Sequence, residues 1–259
     1  PHRELVVAVA EAAYRAGAAA VDVEYDDPRI YAARITHAAP GSLGKRSSAQ
    51  RERSRSLGDE NVAIVQVMGE HELDVAADLP PERVAEDSKR LQSSPELARI
   101  RREGRLRGTI CAWPTDDWAT RVFPDLDAEK AKRRLAKDIL WFCRLGPKDP
   151  PGHEGWTEHL GTLRRRATRL TKLDLAELHV RDVGTDLRFR IAPFSMWRGG
   201  GEKDKWGRQI AMNVPTEECF ISPDAAATDG TFRCSRPRSF GGRVIDGLAG
   251  EFRNGRLVR

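Results

Sequence analysis

Near residue 173 the apolar pattern of the chain changes period, and that change limits the fold more than any other feature of the sequence. Upstream, apolar residues recur at spacings of three and four. Ala131, Leu135, Ile139, Phe142 and Leu145 form one such stripe, and Trp156, Leu160, Leu163, Ala167, Leu170 and Leu173 form the next. Downstream they alternate, as in Leu178 and Val180, Leu187 with Phe189 and Ile191, and Ile210 with Met212 and Val214. The first spacing lines one face of a helix, the second one face of a strand. We therefore expect an α/β domain over residues 1–172 and a β-rich α+β portion over residues 173–259.

Within the first part, a helical stripe from Leu5 to Ala16 stops at Gly17, a usual residue just past a helix end. Val21, Val23 and Tyr25 alternate with Asp22 and Glu24, which predicts a short strand. Pro28 to Ala39 reads as a helix broken by Pro40-Gly41, and Val62 to Met68 as a strand covered on both faces. Further helices are expected from Pro81 and from Pro95 to Arg107, then a strand from Thr109 to Trp113 that Pro114 ends. Strands alternating with helices predict a parallel, helix-covered sheet. Asp127 is placed to cap the next helix, and Gly146-Pro147 and Pro150-Pro151 connect the last two. Beyond residue 173, Gly184, Gly199 to Gly201, Gly241-Gly242 and Asn254-Gly255 supply the turns of antiparallel strands, Asn-Gly being the strongest hairpin signal.

Composition excludes several classes. With 259 residues, 39% hydrophobic and 32% charged, the chain is globular and carries no membrane-length apolar run. Cys111, Cys143, Cys219 and Cys234 form no C-x-x-C pair, which argues against a zinc knuckle and for a reducing compartment, the cytoplasm by default. The net charge of +5 permits contact with nucleic acid without requiring it. The chain opens on Pro1 and closes on Gly255 to Arg259 in the second arm of a hairpin, so a fragment of a longer protein is expected.

Several short motifs fail on spacing. Gly41-Ser42-Leu43-Gly44-Lys45 has two residues between its glycines where a phosphate loop needs four, and Arg46 stands where that loop needs Ser or Thr. His71-Glu72 has no second histidine at the required distance. His153 and His159 are six apart, so neither histidine forms a zincin pair, and all three read as surface histidines. The arginine runs at 51–55, 99–107 and 164–169 alternate with or lie near glutamate and lack interleaved aromatics. They read as solvated helix faces, which argues against nucleic acid. Trp113-Pro114-Thr115, at a strand end, reads as a packed corner.

Asn213-Val214-Pro215-Thr216-Glu217-Glu218-Cys219-Phe220-Ile221-Ser222-Pro223 sets two adjacent carboxylates between two prolines. A strand must stop or bulge at each proline, so the run reads as a strand that delivers Glu217 and Glu218 to its own end. Alternation would turn one glutamate inward and the other outward. An inward carboxylate needs a partner, a proton or a metal. On local chemistry alone, a solvated acidic turn and a strand-end site both remain open.

Taken together, these residues resemble the aminopeptidase T / aminopeptidase S family of metalloaminopeptidases. Asn213 to Pro223 is similar to that family's Asn-x-Pro-Thr-Glu-Glu-x-Phe-x-x-Pro signature. Trp113 to Ala119 resembles a strand-to-helix corner of the family, Val122 to Leu126 the entry to its next helix, and Gly184 to Leu187 a strand pair of its catalytic domain. Trp197 to Gly201 resembles its glycine loop, and Gly230-Thr231, Pro237 and Gly247 onward the strands behind. The likeness runs from about residue 60 to the end.

The resemblance implies a metal-dependent aminopeptidase that removes N-terminal residues from peptides, with the β-rich part as an incomplete catalytic domain. It implies two divalent metal ions (zinc, cobalt, manganese or magnesium), a homodimer, and peptide substrates. It makes Glu218 the metal ligand and Glu217 the outward bystander. The family's other ligands, a second glutamate, histidines and an aspartate, lie C-terminal to this stretch, and the chain has no histidine after His179. The 259-residue chain is therefore expected to be inactive alone. The alternative is a non-catalytic module on the same scaffold that binds an acidic partner or nucleic acid.

Overall fold

The structure is a computed structural model that describes residues 2–59, 61–69, 75, 78–92, 95–146, 154–240 and 243–259. Packing divides the chain into two compact units, Pro1–Lys148 with Lys203–Pro215, and Asp149–Glu202 with Thr216–Arg259. This differs from a cut at 172/173, and the last long helix is the reason. Its buried Leu160, Leu163 and Ala167 form the stripe that packs on strands following it in sequence.

In the first unit, helix α1 (Arg3–Arg15) ends before Gly17, whose φ of +94° suits a residue without Cβ. No strand forms over 21–25, where Val23 and Tyr25 are exposed. Alternation alone does not make a strand without a ladder partner. Helix α2 (Pro28–His37) is capped by Asp27, which accepts from the Arg29 amide at 2.8 Å. Its C-terminal carbonyls of Ile35 and Ala38 accept from the guanidinium of Arg83 on α4 (Pro81–Gln92), and Arg34 pairs with the buried Asp87. Helix α3 (Ser48–Ser56) opens with a reciprocal Ser47–Gln50 capping box. Helix α5 (Pro95–Arg102) ends earlier than its basic run because Gly104 turns left-handed at φ +64°. Gly44 lies against the Glu86 carbonyl, so the Gly41–Lys45 turn is packing against α4.

Strands β1 (Ile64–Met68) and β2 (Gly108–Ala112) run parallel, and β2 also pairs in parallel with a two-residue strand, β8 (Asn213–Val214). The expected parallel sheet is present in the order β1-β2-β8. However, β1 is its edge, and Val65 and Met68 are exposed rather than covered. Beyond β2, Pro114 and Thr115 are fully buried, and Thr115 Oγ1 accepts from the Trp118 amide at 3.1 Å to start α6 (Asp116–Val122). Asp127 caps α7 (Ala128–Phe142) as its sequence position predicts. The core joins Ala119, Ala131, Leu135, Ile139 and Cys143, with Trp118, Phe123 and Val214 packed against it. The buried stripe continues from Ile139 to Cys143 rather than to Phe142, which is exposed, and after Arg144 turns to φ +57° Leu145 is exposed as well.

The second unit begins with α8 (Glu154–Lys172) and the hairpin of β3 (Glu177–Asp182) and β4 (Thr185–Ile191). Strand β5 (Arg198–Gly199) follows, and β6 (Glu202–Lys203) lies where the chain passes to the first unit. After β7 (Gln209–Ile210) and β8 the chain returns as β9 (Cys219–Phe220) and β10 (Pro223–Arg233). Then come β11 (Arg238–Phe240), β12 (Arg243–Ile245), β13 (Ala249–Arg253) and β14 (Arg256–Leu257). An antiparallel sheet of order β14-β13-β10-β4-β3 dominates, confirming the switch to period two. Asn254 and Gly255, both at positive φ, make the β13–β14 turn. The Gly241-Gly242 turn and the Pro147 to Pro151 connection lie outside the described residues.

In the first unit, the turn after β6 is organised by Asp204. Its buried carboxylate accepts from the Trp206 and Arg208 amides at 2.9 and 2.8 Å and from Arg208 Nε at 3.0 Å. Burial alone would raise this carboxyl. The hydrogen bonds from Arg208 and Trp206 outweigh it and hold the carboxyl below its ordinary range. A depressed folded-state pKa contributes stability that is complete above the unfolded carboxyl value, about 4, and is lost as pH falls through the folded value. The stability gap between the wild type and Asp204→Asn is therefore expected to be constant from neutral pH to about 5 and to close below about 4. Urea unfolding across that range measures it, and a gap unchanged at pH 2 would contradict the assignment.

Candidate functional site

The Asn213–Pro223 stretch is built in two halves, one in each unit. In the first half, β8 joins the parallel sheet, with Asn213 opposite Ile110 and Val214 opposite Cys111, and the Met212 carbonyl accepts from the Ile110 amide at 2.9 Å. The Val214–Pro215 peptide is cis, and Pro215 lacks the N–H to continue the ladder. The expected single strand over 210–214 is two separate short ones, β7 paired with β6 and β8 paired with β2.

In the second half, β9 pairs antiparallel with β5, Arg198 opposite Phe220 and Gly199 opposite Cys219. The glycine loop and the acidic stretch, separate in sequence, thus meet in one ladder. Both lie on α8. A Cβ on Gly199 would stand 2.9 Å from Cys219 Sγ, 3.0 Å from the Glu218 carbonyl oxygen and 3.4 Å from that of Leu163. At Gly200, with φ +76°, it would stand 2.1 Å from the Leu160 carbonyl oxygen. Arg164 closes the contact by donating to the Gly200 carbonyl at 2.8 Å. Cys219 turns toward α8, with Sγ 3.5 Å from the Leu163 carbonyl oxygen. Phe220 turns to a groove of about 430 Å³, lined also by Phe194, Met196 and Ile221 and edged by the Arg198–Glu202 ion pair.

Glu217 and Glu218 belong to the second unit, precede β9 in no strand, and are both exposed. The expected inward–outward split is absent because strand alternation does not operate between Pro215 and Cys219. Neither carboxylate carries the cost of burial that would mark a site. Glu217 Oε1 lies 3.5 Å from His159 Nε2 on α8, while the Glu218 side chain makes no ion pair among the described residues.

His159 is the residue that sequence reasoning misplaces. It is not a surface histidine: its side chain is 9% exposed, and Nε2–H donates to the Thr216 carbonyl at 2.7 Å. Trp156 meets the ring edge-on at 5.5 Å. The signal was present in the spacing, since His159 falls three residues after Trp156 and four before Leu163, on the apolar stripe itself. His71, Glu72 and His153 lie outside the described residues. The arginine runs carry ion pairs, as Arg53 with Glu24, Arg55 with Glu52, and Arg99 and Arg105 with Glu103, in keeping with solvated faces.

Among the described residues no three His, Cys, Asp or Glu side chains come together in a way that would hold a metal ion. A carboxylate oxygen is a suitable donor to a divalent cation, but Glu218 by itself is a single ligand and does not make a centre. No helix among the described residues is long and apolar enough to cross a membrane.

The profile of the family described as thermophilic metalloprotease (M29) matches residues 1–259. Aminopeptidase T of Thermus thermophilus is 32% identical over 257 residues, which cover 98% of this chain and 62% of that protein. Aminopeptidase PepS of Streptococcus thermophilus is 26% identical, with 98% and 62% covered, and aminopeptidase AmpS of Bacillus subtilis 25% identical, with 99% and 62% covered. The solved structure of wild-type AmpT from Thermus thermophilus superposes with a TM-score of 0.82 at 30% identity, over 99% of this chain and 62% of that one. The chain thus spans less than two thirds of the length of these relatives.

The Gly200 contact sets a stability test. Gly200→Ala forces both a left-handed alanine and a clash with the α8 backbone, and is expected to cost about 3 kcal/mol or more. Gly207→Ala, at φ +83° with open space around it, is expected to cost only the conformational part, about 1 kcal/mol. Equal shifts of the two urea midpoints would rule out the close contact on α8.

Proposed function

The chain belongs to the thermophilic metalloprotease (M29) family, and from that premise we propose that it is part of a metal-dependent aminopeptidase that removes N-terminal residues from peptides. The observation that carries this reading is the Thr216–Phe220 segment. It is held on α8 through His159, Gly199 and Cys219, and of its two exposed carboxylates it leaves Glu218 with no ion pair among the described residues, at a fixed point of the backbone.

Glu218 is the residue we assign to the metals, with Glu217 beside it as a non-ligand. When bound, a pair of divalent ions supplies a hydroxide at neutral pH by lowering the pKa of a shared water. The described residues contribute one ligand, so we place the remaining ligands in further sequence of a longer polypeptide, consistent with the 62% span of the relatives. The metals belong to the set zinc, cobalt, manganese and magnesium. A homodimer, implied by the resemblance alone, and a cytoplasmic location, with which four free cysteines are in keeping, are part of the same reading.

Two outcomes test it. In the longer protein, Glu218→Ala is expected to abolish both peptide hydrolysis and bound metal, measured by turnover of an aminoacyl substrate and by metal content. Glu217→Ala is expected to retain both, and equal behaviour of the two variants would refute the assignment. The purified 259-residue chain is expected to show no aminopeptidase activity. Chelator-sensitive hydrolysis by that chain would overturn the incomplete-centre reading.

A further inference from the structure

We propose that His159 is the positioning residue that tells the two adjacent glutamates apart: both are exposed, but His159 holds the Thr216 carbonyl and faces the Glu217 carboxylate, which leaves Glu218 as the one it does not engage. Its functional meaning rests on the reading of Glu218 as the site carboxylate. The geometry stands without it.

A carbonyl oxygen only accepts, so the 2.7 Å contact with Thr216 requires the proton on Nε2. The same edge of the ring faces Glu217 Oε1 at 3.5 Å, beyond a direct hydrogen bond and within reach of an ion pair. Trp156, one turn earlier on the same face, meets the ring edge-on and restricts its plane. Thr216 lies two residues before Glu218. On the far side of Glu218, Cys219 is fixed by its ladder with Gly199 and its approach to Leu163. The Glu218 backbone is therefore held at both flanks, and its carboxylate is the one that His159 does not engage. Leucine would suit the apolar stripe at this position equally well. What it lacks is an N–H that reaches Thr216.

Carbodiimide coupling of glycine ethyl ester to the folded 259-residue chain, with site occupancy read by peptide mass spectrometry, tests this directly. Glu218 is expected to couple about two- to threefold faster than Glu217, the scale of the weak polar contact that an N–H, neutral or charged, makes with a half-exposed carboxylate. His159→Gln carries an amide N–H near the position of Nε2 and is expected to keep the preference. In His159→Asn the amide stops near the position of Nδ1, short of Thr216, and the two rates are expected to become equal. Equal rates in the wild type, or a preference that survives in H159N, would overturn the proposal. If H159N does not fold, the wild-type ratio and its retention in H159Q decide. A preference in the wild type combined with metal loss in Glu217→Ala rather than Glu218→Ala would sink the metal assignment and leave the role of His159 standing.

Discussion

The approach of one backbone to another on α8 is the constraint on which the candidate site depends. With residue 200 so near the Leu160 carbonyl and residue 199 so near Glu218 and Cys219, β5 can lie against the helix only because neither residue has a Cβ. That approach gives β9 a ladder partner, and the ladder sets where Cys219 and the residues just before it stand. A chain with alanine at both positions would keep α8 and the large antiparallel sheet but would lose the surface on which the acidic stretch is laid down. Local backbone geometry, rather than the energy of any side-chain contact, decides the position of Glu218.

Acidic residues in this chain fall into two groups that burial separates. Asp87 and Asp204 are buried, and each is answered by an arginine, Asp204 by two backbone amides as well. They tie α2 to α4 and close the turn after β6. Such groups are structural, since losing a partner would leave a charge without compensation. Glu217 and Glu218 are solvated, so they contribute little to stability and remain available to bind something. Burial of a carboxylate is often taken to mark function, but both of these buried carboxylates are occupied by structural partners.

The sequence was most legible where a periodic pattern ran long. The α7 and α8 stripes, the parallel pairing implied by alternating helices and strands, and the Asn254-Gly255 hairpin all appear in the structure. Each is a local signal reinforced several times. Short patterns fared worse. The alternation at Val21–Tyr25 met no neighbouring strand, and the run through Ile210 and Val214 broke into two-residue pieces paired with different strands. The expected boundary at 172/173 and the division by packing differ over α8, because an amphipathic stripe tells that a helix packs but not on what. The resemblance to the M29 peptidases was legible from the Asn213–Pro223 signature, which is matched by the family profile over the whole chain.

His159 shows why the rest was hidden. Histidine at this position lies on the helical stripe, yet a polar residue there is passed over when the stripe is traced by apolar residues, and a search for metal motifs discards it to the surface for lack of a partner at i+4. Its actual neighbours, Thr216 and Glu217, are some sixty positions away and become neighbours only because Gly199 and Gly200 let the loop descend onto α8. The contact is therefore a product of two glycines and one histidine, none of them informative alone. A family signature records which residues recur around a carboxylate, whereas the side chain that orients that carboxylate can come from a helix outside the signature. Reading such a site requires asking what the buried polar group on the neighbouring helix is bonded to. Here the bond goes to the backbone immediately before the two glutamates.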